Sequence, residues 1–215
     1  MSDEVRRGFE RLDQLLHRQE GMAVSRERLR RALERLEQQL RDQHNPVLDV
    51  LVPGLDEGTI RDKMAAFGLT APDDLITWFG WNNGHTTDYQ GRFIPGVGPA
   101  GFDFMCGEYE YLRGHAELYP ELEGGWFPVV QFGGGGQKIM MDCGQNPNTR
   151  GYVRGYTPVG GFEGDGAPTL AEPIEWWCEF IDTGLWVCDD NGVHPTYGLD
   201  DERHLSARIR SSCMI

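Results

Sequence analysis

Residues 126–156 read WFPVVQFGGGGQKIMMDCGQNPNTRGYVRGY, and the fold class turns on this stretch. Three short apolar runs, Trp126 to Phe132, Lys138 to Asp142 and Gly151 to Tyr156, are separated by Gly, Asn and Pro segments that read as turns. Such a pattern predicts an antiparallel meander. Side chains alternate along a strand, so Ile139 and Met141 share one face while Lys138, Met140 and Asp142 share the other, which is expected to be at least partly wet. The glycines Gly133 to Gly136 supply a hairpin turn. A phosphate-binding loop would end in Gly-Lys-Ser/Thr and open a helix, whereas here Gln137 intervenes and a strand follows Lys138.

On the C-terminal side, Thr157 to Leu170 reads as a long glycine-rich loop carrying Glu163 and Asp165. Pro173 suits the first turn of a helix whose Ile174, Trp177, Cys178 and Ile181 face the sheet, and Gly184 stops it. Asn191-Gly192 reads as a turn and Glu202 to Ile215 as a polar tail. On the N-terminal side, Glu108 to Tyr119 reads as a short helix interrupted by Gly114, with Tyr111, Leu112 and Leu118 packing inward. Before it, Tyr89 to Pro95 is read as a strand with Phe93 inward, and GPAGFDFMCG (98–107) as a second strand or an irregular edge. Upstream, Ile60, Met64 and Phe67 mark one short helix ended by Gly68. Pro72 opens another with Leu75, Ile76 and Phe79, and Asn82-Asn83-Gly84 then turns the chain.

The first 45 residues have a different character. Val5, Phe9, Leu12 and Leu16, then Leu29, Leu33, Leu36 and Leu40, recur at helical spacing, which predicts a hairpin of two amphipathic helices over 3–20 and 25–43 with Ser25 as N-cap. Two helices are not stable alone, so this stripe must rest on the chain's own body, on a second copy in a homodimer, or on a partner. Asn45-Pro46 marks a boundary between a helical arm, 1–45, and a domain, 46–215, that is expected to fold without it.

Among the 215 residues the net charge is -14; residues 1–42 carry +1 and the remainder -15. Such a field repels nucleic-acid phosphates and favours a basic protein partner, though solubility alone is an equally available reading. The five cysteines are scattered without a CxxC pair. The start of the chain, MSDEVRRGFERL, lacks the apolar core of a secretory signal, and no run approaches the roughly eighteen apolar residues of a membrane span. A reduced, cytoplasmic protein is expected, with no membrane attachment.

Catalytic patterns are absent from the sequence. His17, His44, His85, His115, His194 and His204 stand apart, without the spacing of a zinc site. His85, Thr86 and Asp88 read as turn residues. Ser2, Ser25, Ser206, Ser211 and Ser212 lie in the arm or tail, outside any Gly-x-Ser-x-Gly motif. Cys143 reads as an exposed thiol with no basic neighbour to activate it. Neither an enzyme nor a metal or other cofactor is expected.

The order of the short motifs resembles the Smi1/Knr4 (SUKH) superfamily. Leu69, Pro72, Asp73 and Asp74 stand where that family opens a helix, Asn83 and Gly84 where it ends in a turn, and Trp126, Pro128, the glycines from Gly133 and Asp142 where it places its strands and Gly-rich turn. The resemblance covers roughly residues 54–184. It departs at Ala71, where many relatives read Leu-Pro, and in the arm, which lies outside the pattern. It implies an α+β fold, an antiparallel sheet flanked by helices. It also implies an immunity protein that binds and neutralises a cognate polymorphic toxin, a basic nuclease being one such class, without chemistry. The alternative within the family is a scaffold or regulatory adaptor using the arm for assembly. For a basic partner the candidate contacts are Glu108, Glu110, Glu121, Glu123, Glu163 and Asp165, carboxylates placed on connections over the sheet. For each, an ordinary solvated acidic surface is the competing reading.

Overall fold

The computed structural model describes residues 2–19, 26–85, 92–98, 100–133, 136–189, 192–198 and 201, with the side chains of 12–19 excluded. In chain order the elements are α1 (Asp3–Gln19), α2 (Arg26–Asp42), a 3-10 turn (Pro46–Asp49), β1 (Leu51–Pro53), α3 (Glu57–Ala66), α4 (Asp73–Trp81) and β2 (Asn82–His85). There follow α5 (Phe102–Gly114), a second 3-10 turn (Pro120–Leu122), β3 (Trp126–Gln131), β4 (Lys138–Asp142), β5 (Val153–Thr157), β6 (Gly161–Ala167), α6 (Ala171–Asp182), β7 (Trp186–Asp189) and β8 (Gly192–Pro195). The Ser25 cap, the Leu12 and Leu16 side chains, Thr86 and Asp88, Tyr89 to Gly91 of the strand read over Tyr89 to Pro95, Gly134 and Gly135, Asn191 and the tail from Glu202 lie outside the described residues.

The meander is present as β3-β4-β5-β6, each strand antiparallel to the next. Phe127, Met141, Val153 and Ala167 stand in register across it, all 2% exposed or less. This row faces the main core. With helices packed around an antiparallel sheet, the fold is α+β. Two further antiparallel pairs, β1-β2 and β7-β8, lie outside the four-stranded sheet.

Four local expectations change. Strand β4 is buried on both faces. The face expected to be wet is roofed by the end of α5 and the second 3-10 turn, so that Leu112, Met140 and Tyr156 form a second apolar cluster with Tyr119, Leu122, Trp126 and Phe162 against it. The glycine-rich segment after Tyr156 contains β6 rather than a plain loop, because Gly164 and Gly166 at positive φ let the chain bulge and still rejoin β5. Residues 82–84 pair with β1 as β2 instead of turning. Phe102 and Phe104 lie in a helix, not a strand. Two positions apart, they would share a strand face; on α5 they diverge, Phe102 buried and Phe104 exposed.

The arm is part of the core. Leu29, Leu33, Leu36 and Leu40 are all at most 2% exposed and join the same apolar cluster as Ile76, Trp177 and Ile181. α2 lies against α4 and α6, and Phe9 of α1 reaches Tyr197 with ring centroids 5.5 Å apart. The composition change near residue 45 is therefore not a break in the core, and the leucine face offered as a homodimer seam is covered by the chain itself. Burying one leucine contributes about 1.5–3 kcal/mol, so these four together rival the about 5–15 kcal/mol that stabilises a whole domain. A truncated chain beginning at Pro46 is expected to lose its cooperative thermal transition, which circular dichroism would register; a sharp transition retained without the arm would show that the body is self-sufficient.

Ion pairs lock α2 to α6. Arg28 donates to both carboxylate oxygens of Glu175, at 2.8 Å from Nε and 2.7 Å from Nη2. Arg35 reaches Glu179 at 2.6 Å and also Asp182, while Gln39 donates to the Cys178 carbonyl at 3.0 Å. Glu175 raises the Arg28 pKa. Near the start of α6, the buried Asp74 carboxylate accepts from the Thr169 hydroxyl and the Leu170 N–H, and burial pushes its pKa up. The Arg28 side chain is 3% exposed and Glu175 16%, so losing the carboxylate removes the bidentate counterion of the more deeply buried charge. Glu175→Gln is expected to cost about 3 kcal/mol or more and Arg28→Met less, by urea denaturation; the reverse order would refute the assignment.

Candidate functional site

The six candidate carboxylates do not converge on one surface, and their roles divide. Glu108 on α5 lies 3.0 Å from the Lys138 ammonium, which is itself 5% exposed and also donates to the Gly136 carbonyl. It is the counterion of a buried lysine. Glu121, in the second 3-10 turn, accepts from the Tyr156 hydroxyl at 3.1 Å; burial, reinforced by this carboxylate, raises the tyrosine pKa. Both groups flank the apolar roof over β4 and β5 and hold it together.

The remaining four are exposed. Glu163 and Asp165 stand on β6, an edge strand, with Thr157 donating to Glu163 at 3.0 Å and the Tyr152 hydroxyl donating to the Asp165 carbonyl. Charges and a bulge on an edge strand discourage pairing with another sheet, which is reason enough for them there. Glu123 follows the second 3-10 turn, and Glu110 lies on the outer side of α5. Among the described residues neither makes an ion pair.

What the sequence reading missed is the company Glu110 keeps. Phe104 and Tyr111, 51% and 55% exposed, lie on the same outward side of α5, and Leu118, 64% exposed, follows just past the helix end. Tyr111 and Leu118 are thus corrected from packing residues to surface ones. For Tyr111 the signal in the sequence was its seven-residue spacing from Phe104, visible only once the segment is taken as helical from Phe102, whereas Leu118 lies past the helix end.

Three clefts accompany these surfaces. A crevice of about 210 Å³ is lined by Tyr109, Leu112, Tyr119 and Trp126 together with Arg113 and Glu123. A cleft of about 290 Å³ between α2 and α4 has Leu33, Ile76 and Trp81 in its wall with Arg30 and Glu34. A third, of about 430 Å³, is lined by Arg26, Arg61, Arg150, Asp73 and Asp74. Its cations are engaged internally, Arg26 and Arg61 with Glu57 and Arg150 with the carbonyls of Gly144 and Gln145.

Cys143 is completely buried rather than exposed. Burial pushes its thiol pKa well up, that of Cys106 to about 11 and that of Cys178 to about 12, so none supplies a thiolate nucleophile near neutral pH. Among the described residues no group of three His, Cys, Asp or Glu side chains is placed to hold a metal ion. Neither a scan of protein-family models nor a search of the curated proteins finds a match to this chain.

The division of the carboxylates is open to measurement. Glu108→Lys sets a second cation against buried Lys138 and is expected to destabilise the fold by about 3 kcal/mol. Glu110→Lys should stay within about 0.5 kcal/mol of the parent. Equal thermal stability of the two variants would show that Glu108 is not the lysine's counterion.

Proposed function

We propose that this chain is a non-catalytic immunity-type protein that binds a basic protein toxin and neutralises it by covering its cationic surface. The observation that carries the reading is uncompensated acidity on a well-packed scaffold. Residues 43–215 hold a net charge of -15, and Glu110, Glu117, Glu123 and Asp165 are exposed without an ion-pair partner among the described residues. Uncompensated charge of one sign repels itself in the compact state and steers an oppositely charged partner into contact. The SUKH resemblance supplies the class of partner, a toxin whose own substrate contacts are basic. Nucleic acid is disfavoured as a ligand by the same field. Among the described residues Cys106, Cys143 and Cys178 are free, buried thiols, as a cytoplasmic setting would keep them. Among the described residues no helix is long and apolar enough to cross a membrane. The adaptor alternative has less support, because the leucine face it would use for assembly lies in the core.

Affinity capture from the native cell with mass spectrometry, followed by co-expression of the captured protein in a bacterial host, tests the reading. The expected partner is basic, arrests growth when expressed alone and ceases to do so with this chain present. Its association rate should fall at least about tenfold from low to high salt. A harmless partner whose association ignores salt would favour an adaptor instead.

A further inference from the structure

Helix α5 is two-sided in an unusual way. Phe102, Met105, Cys106 and Leu112 are buried beneath it, while Phe104 and Tyr111 point outward, two helical turns apart. Between them sits Gly107. A Cβ at that position would meet nothing within 4 Å, and its backbone is not in the left-handed region. Neither packing nor conformation therefore calls for glycine, which after proline is the residue least suited to a helix interior. Phe104, Glu110 and Tyr111 are its neighbours three or four positions away, so they surround a patch of bare helix backbone.

The charge around this patch is selective. Of the three carboxylates on α5, Asp103 is held by Lys63 and Glu108 by Lys138. Glu110 has no ion-pair partner among the described residues, and exposed Glu117 follows beyond the helix end. The Tyr111 ring lies 4.5 Å from the His115 ring, centroid to centroid, and His115 Nδ1 is 2.8 Å from the Tyr111 carbonyl, a local arrangement that steadies the aromatic surface. Exposed aromatic faces and an unpaired carboxylate suit a cation with an aliphatic stem.

Resting on the reading above, we propose that the outer face of α5, centred on bare Gly107 and framed by Phe104, Glu110 and Tyr111, seats an amphipathic cationic segment of the protein partner. Phe104 and Tyr111 are the apolar anchors and Glu110 meets a lysine or arginine. Gly107 lets the partner's chain approach the helix closely. A second copy of this chain is a poor occupant, since a symmetric contact would bring like carboxylates together.

The test uses the full chain and three synthetic peptides: one built of lysine and leucine in helical spacing, one with glutamate replacing lysine, and one with lysine and serine only. Amide NMR shifts on titration with the lysine-leucine peptide should cluster over Phe104 to Tyr111, with weaker binding by the lysine-serine peptide and none by the glutamate peptide. Tyr111→Ser should weaken binding about tenfold, and Glu110→Lys should weaken it with a flatter salt dependence. Gly107→Ala should raise the melting temperature yet weaken binding, a combination that a purely structural glycine would not produce. Shifts that cluster on another acidic surface would overturn the assignment to α5 while leaving the basic-partner reading intact. Binding by the glutamate peptide and not by either lysine peptide would overturn both. A sedimentation change from dimer to monomer in Tyr111→Ser would overturn the proposal in favour of self-association.

Discussion

Ten of the twelve residues of α6 are buried, and at helical spacing these ten, from Ala171 to Ile181, are distributed all around the helix, with Trp176, Trp177, Phe180 and Ile181 on one broad apolar side. A helix buried all around must be enclosed on all sides, by apolar groups on its apolar side and by cations where Glu175 and Glu179 lie. α1 and β7 lie against part of it, Trp186 stacking on Phe180, and α2 supplies the largest share of the cover. The position of the N-terminal helices thus follows from a demand created near the other end of the chain. The bidentate Arg28–Glu175 pair and the Arg35 contacts set the register of that cover, fixing which turn of α2 lies against which turn of α6.

Much of this was legible in the residues. The meander could be read because its strands are short, its turns carry Gly, Asn and Pro, and each strand pairs with the next in sequence. Ile60 with Met64, and Leu75, Ile76 and Phe79, likewise announced the buried faces of α3 and α4. The enclosure of α6 was half visible: Ile174, Trp177, Cys178 and Ile181 marked one apolar side, while adjacent Trp176, about 100° around the helix, widened it beyond a single stripe. The segment 98–107 misled because Phe102 and Phe104 satisfy strand alternation as well as a helix with one aromatic out, and only tertiary packing selects between them. Burial of both sides of β4 was not legible, since nothing local to Lys138 reveals that Glu108 will be waiting above it.

The same pairing explains why the candidate carboxylates separate into two kinds. Acidic groups on α6 find arginines on α2, and Glu108 finds Lys138, so these charges are neutralised inside the fold. The near-neutral composition of the first 42 residues reflects that internal use of arginine. Glu110, Glu123 and Asp165 have no such partner among the described residues, and the acidic character of the protein is concentrated on surfaces away from the α2–α6 seam.

Arg28 and Glu175 are separated by 147 positions along the chain, whereas each strand of the meander meets its neighbour within a short hairpin. Contacts between distant segments close late, because loop-closure entropy must be overcome before they form. On the ribosome the leucine face of α2 is therefore made well before the helix that covers it, and its contact with α6 stays open until α6 has emerged. The chain's exposure to chaperones and to misassociation is set by that interval rather than by the strength of the finished core, and slower translation beyond Glu175 would lengthen it.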